Sequence, residues 1–291
     1  MRTHFAPLAL VLLGGAAIFA GAQPGPRESS SADYTQWRGP QRDGAASGFI
    51  EPPAWPQSLN RRWTVEIGEG YATPLVLGDT LFVFARRDGA ETLTALSSAT
   101  GSPRWQSTYA APYQPSQPAR AHGAGPKATP VYADGKLFTV GIAGVVSAFD
   151  ASSGKRLWQT EPPAEHPFFG AASSPLVEDG LVIVHPGNYE PLTAFDMASG
   201  RVRWRAGSAG FFASPIAVDI AGTRQIVSAT LDSVIGVSLG GVVLWQYPWA
   251  GGGGSVTPVL SGDSIVVSAL DAGVTALQPK KQNGTWTVDT L

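Results

Sequence analysis

Cysteine is absent from this chain of 291 residues, and only 14% of its residues are charged. The lack of cysteine excludes disulfide staples and a catalytic thiol, and it removes the residue that a bacterial lipoprotein needs at its cleavage site. The net charge is −2 and no basic block occurs, so nucleic acid is not an expected partner, because phosphate binding needs clustered lysine and arginine. The sequence therefore predicts a protein without a lipid anchor that is held together by packing alone.

Residues 1–22 have the pattern of a secretory signal peptide. Arg2 supplies a positive charge, Phe5 to Gly21 an apolar stretch, and Ala20-Gly21-Ala22 a small-residue cleavage site. A membrane anchor is the alternative, but the apolar stretch is short and is interrupted by Pro7. We expect cleavage, no membrane span in the mature chain, and a periplasmic or secreted location.

Glycine and proline are abundant, with 35 and 24 residues, which favours short strands joined by tight turns. Five times, Ser or Thr followed by Pro opens an apolar stretch that a tryptophan closes 28 to 31 residues later. The opening residues are Pro74, Pro130, Pro175, Pro215 and Pro258, and the closing residues are Trp105, Trp158, Trp204, Trp245 and Trp286. Turn residues divide each unit into four short strands, as in Asp134-Gly135. We therefore predict an all-β propeller of four-stranded antiparallel blades, near residues 72–105, 128–158, 173–204, 213–245 and 256–286.

The segment before these units has no repeat. Residues 23–59 are predicted to form an irregular N-terminal leader, of which the Trp-, Gly- and Pro-rich part, Tyr34 to Pro56, is expected to lie over the repeats. Asn60 to Ile67 reads as a strand carrying Trp63, a sixth tryptophan in the closing position. The propeller repeats are thus predicted to occupy residues 60–291.

Three closing segments share more than their tryptophan. Residues 148–158 and 194–204 each run from alanine through aspartate and glycine to tryptophan, and residues 95–105 form a third copy with Ser97 in place of the aspartate. The pattern resembles the tryptophan-docking motif of pyrroloquinoline-quinone (PQQ) type β-propellers, over about residues 60–291. In that motif the aspartate bonds its own turn, the glycine adopts a positive φ, and the indole reaches the neighbouring blade. The resemblance implies structural roles for Trp105, Trp158, Trp204, Trp245, Trp286, Asp150, Asp196, Gly101, Gly154 and Gly200.

The resemblance covers two kinds of protein. Quinoprotein dehydrogenases bind PQQ with calcium or a lanthanide in a central funnel and oxidise alcohols or sugars, whereas relatives typified by the outer-membrane protein assembly lipoprotein are interaction platforms. The alcohol-oxidising enzymes have a vicinal cysteine pair, which this chain lacks, and most carboxylates here fall in blade turns. We expect a non-enzymatic envelope scaffold that binds proteins or peptides and needs no cofactor. A PQQ- and calcium-dependent dehydrogenase is the alternative, and a sensor or carbohydrate-binding propeller is the third.

The blade count gives a further expectation. Relatives in this superfamily have seven or eight blades, whereas five complete repeats and the segment around Trp63 are present here. We therefore expect a truncated seven- or eight-bladed ring, whose exposed end blades would cause aggregation or assembly.

The best candidate for a binding site is the longest linker between repeats, with Arg120, His122 and Lys127. These cations are suited to an anion or an acidic peptide, although a solvated glycine-rich loop is the simpler interpretation. The pairs Phe168-Phe169 and Phe211-Phe212 precede repeats at matching positions, which indicates packing between blades or an aromatic row that binds a peptide. No histidines share a metal-ligand spacing, so no metal site is predicted, and His166 and His185 are expected in loops.

Overall fold

The computed structural model describes residues 33–45, 49–165, 167–249, 255–269 and 273–291. Within these ranges the chain forms twenty β-strands and one short 3₁₀ helix, Gln117–His122. The predicted signal sequence, residues 1–22, and also His166 lie outside the described residues.

The strands form five four-stranded antiparallel sheets, called blades 1 to 5, in which consecutive strands are hydrogen-bonded neighbours. Blade 1 contains β1 (Leu75–Leu77), β2 (Thr80–Arg87), β3 (Ala90–Ser97) and β4 (Pro103–Ala110). Blade 2 contains β5 (Val131–Ala133), β6 (Lys136–Val140), β7 (Val146–Asp150) and β8 (Arg156–Gln159). Blade 3 contains β9 (Leu176–Glu178), β10 (Leu181–Val184), β11 (Pro191–Asp196) and β12 (Val202–Ala209). Blade 4 contains β13 (Ile216–Ile220), β14 (Thr223–Ala229), β15 (Ser233–Ser238) and β16 (Val243–Pro248). Blade 5 contains β17 (Val259–Ser261), β18 (Ser264–Ala269), β19 (Gly273–Gln282) and β20 (Thr285–Thr290). The predicted fold class, an all-β propeller of four-stranded antiparallel blades, is confirmed.

Two-residue turns close the first hairpin of blades 2, 3 and 4. Both central residues have a positive φ: 46° and 75° at Asp134-Gly135, 47° and 72° at Asp179-Gly180, and 48° and 69° at Ala221-Gly222. Positive φ at both positions defines a type I′ turn, whose twist matches that of the paired strands. Aspartate and glycine tolerate this conformation, which is why Asp134-Gly135 and Asp179-Gly180 mark hairpins in the sequence.

The hydrophobic core lies between the blades. Phe84 and Leu93 of blade 1 pack in one cluster with Leu137 and Phe149 of blade 2. Further clusters join blade 2 to blade 3, blade 3 to blade 4, and blade 4 to blade 5. Each cluster draws residues from two blades, so every blade depends on its neighbour to bury an apolar face.

The up-and-down strand order gives each blade two different ends. The turns between strands one and two and between strands three and four lie at one end, whereas the loops between strands two and three and the linkers to the next blade lie at the other. We call this second end the linker face. It includes the linkers 111–130, 160–175 and 210–215 and the loop 185–190.

The leader from Asp33 to Ala45 crosses the first strands of three blades. The amide of Tyr34 donates to the carbonyl of Val76 in β1 at 2.8 Å, and the amide of Val76 donates to the carbonyl of Tyr34 at 2.9 Å. The next residue, Thr35, accepts a bond of 2.8 Å from the amide of Tyr132 in β5. The expected irregular leader is therefore bonded along the first strands of blades 1 and 2.

Arg42 connects the same leader to blade 3. Its side chain is 6% exposed, and its guanidinium donates to the carbonyls of Ser174 and Pro175 at 3.1 and 2.9 Å and to Gln36 Oε1 at 3.0 Å. Among the described residues no carboxylate forms an ion pair with this group. Burial lowers the pKa of Arg42 to about 9. The charge is thus stabilised by backbone dipoles at the start of β9.

The strand predicted over Asn60 to Ile67 is wrong. No strand is formed there, and the nearest sheet-like contact is an isolated bridge between Glu69 and Arg86. A strand requires a hydrogen-bonded neighbour along its length, and this segment has none among the described residues. The apolar alternation alone therefore did not produce a strand.

Candidate interaction surface on the linker face

Three of the closing tryptophans contact the following blade in the same way. The indole N–H groups of Trp105, Trp158 and Trp204 donate to the carbonyls of Ala151, Met197 and Leu239 at 3.1, 3.0 and 2.9 Å. Trp63 has an equivalent bond of 3.0 Å to the carbonyl of Ser98 in blade 1. Each of these indoles joins an outer part of the chain to the loop between strands three and four of the next blade.

The loop residues fit around these rings. A Cβ placed on Gly101, Gly154 or Gly200 would lie less than 3.0 Å from the indole of Trp63, Trp105 or Trp158, respectively. These glycines also have φ between 71° and 73°. Glycine therefore meets two requirements at each position, a left-handed backbone and a close approach by a ring.

The loop aspartates bond their own turns. Asp150 Oδ1 accepts bonds from the amide and hydroxyl groups of Ser152 and Ser153 at 2.6 to 3.1 Å. Asp196 bonds Ala198 and Ser199 in the same manner. These hydrogen bonds lower the pKa of both aspartates. The carboxylates are used within the loops and lie at the end of the blades opposite the linker face.

Trp245 and Trp286 differ from the other tryptophans. Trp245 donates to Oε1 of Gln225 in its own blade at 2.6 Å and is only 4% exposed. Trp286 packs against the same cluster, and the ammonium of Lys281 lies 5.6 Å from its ring centre. Blade 5 joins its last two strands by the tight turn Asn283-Gly284, so it offers Trp245 no loop of the kind found in blades 2 and 3.

The three cations of the candidate linker have different contacts. Arg120 and His122 are exposed on the 3₁₀ helix, where the ring of His122 lies edge-on to that of Tyr71 at 6.4 Å. Lys127 is partly buried and donates to the carbonyl of Phe169 at 2.5 Å. Burial lowers the pKa of Lys127. The structure therefore places Lys127, rather than the whole basic linker, beside the phenylalanine pairs.

These pairs belong to a continuous row of five aromatic rings on the linker face. Successive ring centres along the row are 4.8, 6.1, 5.4 and 6.0 Å apart. We call it the aromatic row, and its members in spatial order are Phe168, Phe169, Phe212, Phe211 and Tyr189. The end residues Phe168 and Tyr189 are 45% and 51% exposed, whereas the three central rings are partly buried. The row thus joins two linkers and the loop 185–190 into one apolar, partly exposed strip.

The backbone below the Phe168 end of the row is anchored to blades 1 and 2. Ser116 Oγ donates to the carbonyl of Phe168 at 2.7 Å, and the Tyr113 hydroxyl donates to the carbonyl of Pro167 at 3.2 Å. The amide of Ala171 donates to the carbonyl of Ile142 at 2.9 Å. These bonds fix the linker on both sides of Phe168 and Phe169, so the rings are held in place before any partner arrives.

Ile142 is in turn held by a buried carboxyl group of blade 1. Glu91 is 1% exposed, and its carboxyl accepts bonds of 2.5 Å from the Ile142 amide and from the Tyr109 hydroxyl. Burial raises the pKa of Glu91, although both hydrogen bonds oppose that shift. Glu91 therefore positions the segment that supports the aromatic row.

The Tyr189 end of the row is anchored by His185, which is fully buried at the end of β10. Its Nε2 lies 2.9 Å from Ser228 Oγ in blade 4, and its Nδ1 lies 3.3 Å from the carbonyl of Glu190. Burial lowers the pKa of His185 to about 4, so the ring is neutral at physiological pH. His185 was expected in a loop, and its location shows a positioning role for the loop that carries Tyr189.

Tyr189 could not be assigned to this surface from the sequence. It belongs to no repeated motif and lies in the loop between strands two and three of its blade. Its contact with Phe211, at 6.0 Å, depends on the packing of blade 3 against blade 4. The phenylalanine pairs were visible because they occupy matching positions before successive repeats.

Within the described ranges no three Asp, Glu, His or Cys side chains are grouped closely enough to hold a metal ion. In the same part of the chain, no helix is both long and apolar enough to span a membrane.

Known proteins resemble this chain in sequence and fold. Residues 89–289 match the family model described as outer membrane protein assembly factor BamB. A protein of that name from Burkholderia pseudomallei is 25% identical over 190 residues, covering 65% of this chain and 47% of the relative. Another from Xanthomonas campestris is 34% identical over 87 residues, covering 28% and 21%. The chain therefore spans less than half the length of either curated relative.

Among solved structures, the crystal structure of BamB from Moraxella catarrhalis superposes with a TM-score of 0.52 and 20% identity. The match covers 79% of this chain and 70% of that chain, and it supports the fold alone. The family match covers more than half of the present sequence and includes most of the five blades. The chain therefore belongs to the family described as outer membrane protein assembly factor BamB.

Proposed function

We propose that this protein is a non-enzymatic scaffold of the cell envelope that binds a protein partner on its linker face. The observation that carries the proposal is the aromatic row, whose five rings form one strip with exposed ends at Phe168 and Tyr189. Aromatic side chains contribute large contact areas at low entropic cost and are enriched at the centres of protein interfaces.

The position and support of the row favour a binding role over simple packing between blades. Apolar side chains that serve only the core are buried, whereas Phe168 and Tyr189 leave about half of their surface in solvent. The row is also preorganised, because Ser116 and His185 fix the segments that carry its two ends. Preorganised surfaces lose less entropy on binding than mobile ones.

A cleft adjoins the Tyr189 end of the row. Its volume is about 410 Å³, and it is lined by Pro163 and Pro186 and by the polar side chains of Glu190 and Arg205. An interface centred on the row would therefore have an apolar centre with a polar margin, as protein interfaces commonly do. The family name suggests a partner among the proteins of outer membrane assembly.

Site-specific photo-crosslinking tests the proposal directly. A photoreactive phenylalanine analogue at position 189 is expected to crosslink an envelope protein in intact cells, because Tyr189 is 51% exposed at one end of the row. The matched control is the same analogue at Phe49, which is 61% exposed and whose ring contacts Trp55 rather than the aromatic row. The crosslinked protein is then purified and its affinity for the unlabelled scaffold is measured. Crosslinking of equal yield and identity at both positions would contradict the proposal.

The alternative function is a PQQ- and calcium-dependent dehydrogenase. Its test is to add PQQ and calcium to the purified protein and to follow the quinone absorbance together with dye-linked oxidation of alcohols and sugars. We expect no turnover above that of the protein-free mixture. Saturable activity that requires both additives would establish the alternative.

A further inference from the structure

We infer that the aromatic row, with Lys127 beside it, recognises an acidic peptide segment of the partner that carries several apolar side chains. The inference rests on the proposed function and specifies the chemistry of the partner. It combines the partly buried ammonium of Lys127, the continuity of the row, and the exposure of both of its ends.

Lys127 provides the charge selectivity. Its ammonium has three donors, of which one is used by the carbonyl of Phe169. Among the described residues no carboxylate forms an ion pair with Lys127. The ammonium is partly desolvated and uncompensated, and a carboxylate from a partner would satisfy its remaining donors by charge-assisted hydrogen bonds. A second cation in a partner would be repelled at the same place.

Lys127 and the aromatic row belong to one surface. The bond to the Phe169 carbonyl fixes the ammonium next to the backbone of the second residue of the row. A carboxylate bound to Lys127 would therefore bring the adjoining residues of the same segment close to the rings. Arg120 and His122 lie on the 3₁₀ helix and are not required for this contact.

The row provides the apolar part of the contact. Its five rings form one continuous strip with exposed rings at both ends, so a segment bound to Lys127 can bury apolar side chains against it.

Designed peptides test the inference on the whole protein. The probe is a seven-residue peptide with blocked ends and a fluorescent dye, which carries aspartate at one end and phenylalanine at alternate positions, separated by threonine. Three controls replace the aspartate by asparagine, replace it by lysine, or replace every phenylalanine by serine. We expect the asparagine peptide to bind roughly tenfold more weakly in fluorescence anisotropy, because one charge-assisted hydrogen bond is lost. The lysine peptide and the serine peptide should bind more weakly still.

Protein variants locate the contact. Lys127→Met retains the apolar stem and removes the charge, so it should weaken the aspartate peptide roughly tenfold and leave the asparagine peptide nearly unchanged. Tyr189→Ala should weaken both peptides, whereas Phe49→Ala should affect neither. Thermal unfolding of each variant controls for loss of structure, and the comparison of peptides on the unmodified protein requires no variant at all.

The outcomes separate this inference from the proposed function. If the unmodified protein binds the aspartate, asparagine and lysine peptides equally well and Tyr189→Ala abolishes this binding, then the inferred preference for acidic peptides is wrong. The row would still be a docking surface in that case. Equal weakening of the aspartate and asparagine peptides by Lys127→Met would also overturn the inference. If no peptide binds and no partner crosslinks at position 189, the proposed function itself fails.

Discussion

Gly154 offers a quantitative test of how the blades are joined. It has a φ of 72°, and a Cβ at this position would lie less than 3.0 Å from the indole of Trp105. Gly180 has the same φ of 72° but has no heavy atom within 4 Å of the added Cβ. The two glycines therefore share the backbone requirement and differ in the contact with a ring.

The magnitudes follow from this pairing. Gly180→Ala should lower the free energy of unfolding by about 1–2 kcal/mol, because an L-residue is placed in the left-handed region. Gly154→Ala should lower the free energy of unfolding by this amount plus a further ~1–3 kcal/mol, because the added methyl group displaces the indole of Trp105 from its carbonyl partner. The assay is urea unfolding followed by far-ultraviolet circular dichroism, with the free energy compared at equal slope.

A double-mutant cycle makes the reasoning refutable. Trp105→Ala should itself cost ~3–5 kcal/mol, as for other large aromatic truncations. In that background Gly154→Ala should cost no more than Gly180→Ala, because the opposing ring is gone. If Gly154→Ala and Gly180→Ala are equally destabilising in the unmodified protein, then the indole contact does not set the requirement for glycine.

Further predictions concern three buried polar groups. Arg42→Ala should lower the free energy of unfolding by ~2–4 kcal/mol, because two buried carbonyls lose their donor. It should also expose the leader to cleavage by trypsin at Arg38. An unchanged cleavage rate would contradict the anchoring role of Arg42. The pKa of His185 falls from 6.5 to about 4 on folding, so the folded state favours the neutral ring. The free energy of unfolding should therefore be highest above pH 6.5 and should fall by up to ~3 kcal/mol as the pH is lowered towards 4. This decrease should be absent in His185→Gln. Burial raises the pKa of Glu91, so ionisation of its carboxyl group opposes folding. As the pH rises through that pKa, the free energy of unfolding of Glu91→Gln should increase relative to that of the unmodified protein. If the difference between the two free energies does not depend on pH, the assignment is wrong.

The fold could be predicted from the sequence because its signals are local and repeated. Turn pairs such as Asp134-Gly135 and Asp179-Gly180 mark hairpins wherever they occur, since their backbone preference does not depend on distant residues. The strand expected over Asn60 to Ile67 failed for the opposite reason. Its apolar alternation is a local signal, whereas a strand also needs a hydrogen-bonded partner that local sequence cannot provide.

The candidate site was only partly predictable. The pairs Phe168-Phe169 and Phe211-Phe212 could be predicted as candidates from their matching positions before two repeats. The ring contact of 6.1 Å that joins the two pairs, between Phe169 and Phe212, depends on how blade 3 packs against its neighbours. The basic linker was predicted as one patch, whereas in the structure Arg120 and His122 lie on the 3₁₀ helix and Lys127 bonds the carbonyl of Phe169. The sequence pattern identified the types of residue at the site, whereas the tertiary structure determines which of them are in contact.

The leader has a consequence for the order of folding. Arg42 bonds carbonyls that lie 132 and 133 residues later in the chain, although Arg42 is synthesised first. Its contact at the start of blade 3 can therefore form only after the chain through Pro175 has been synthesised, and it closes a very long loop. The bonds of Tyr34 and Thr35 to blades 1 and 2 can form earlier. A segment that precedes all five blades in the sequence therefore completes its anchoring late, and a pause in synthesis after blade 2 would leave Arg42 without its partners.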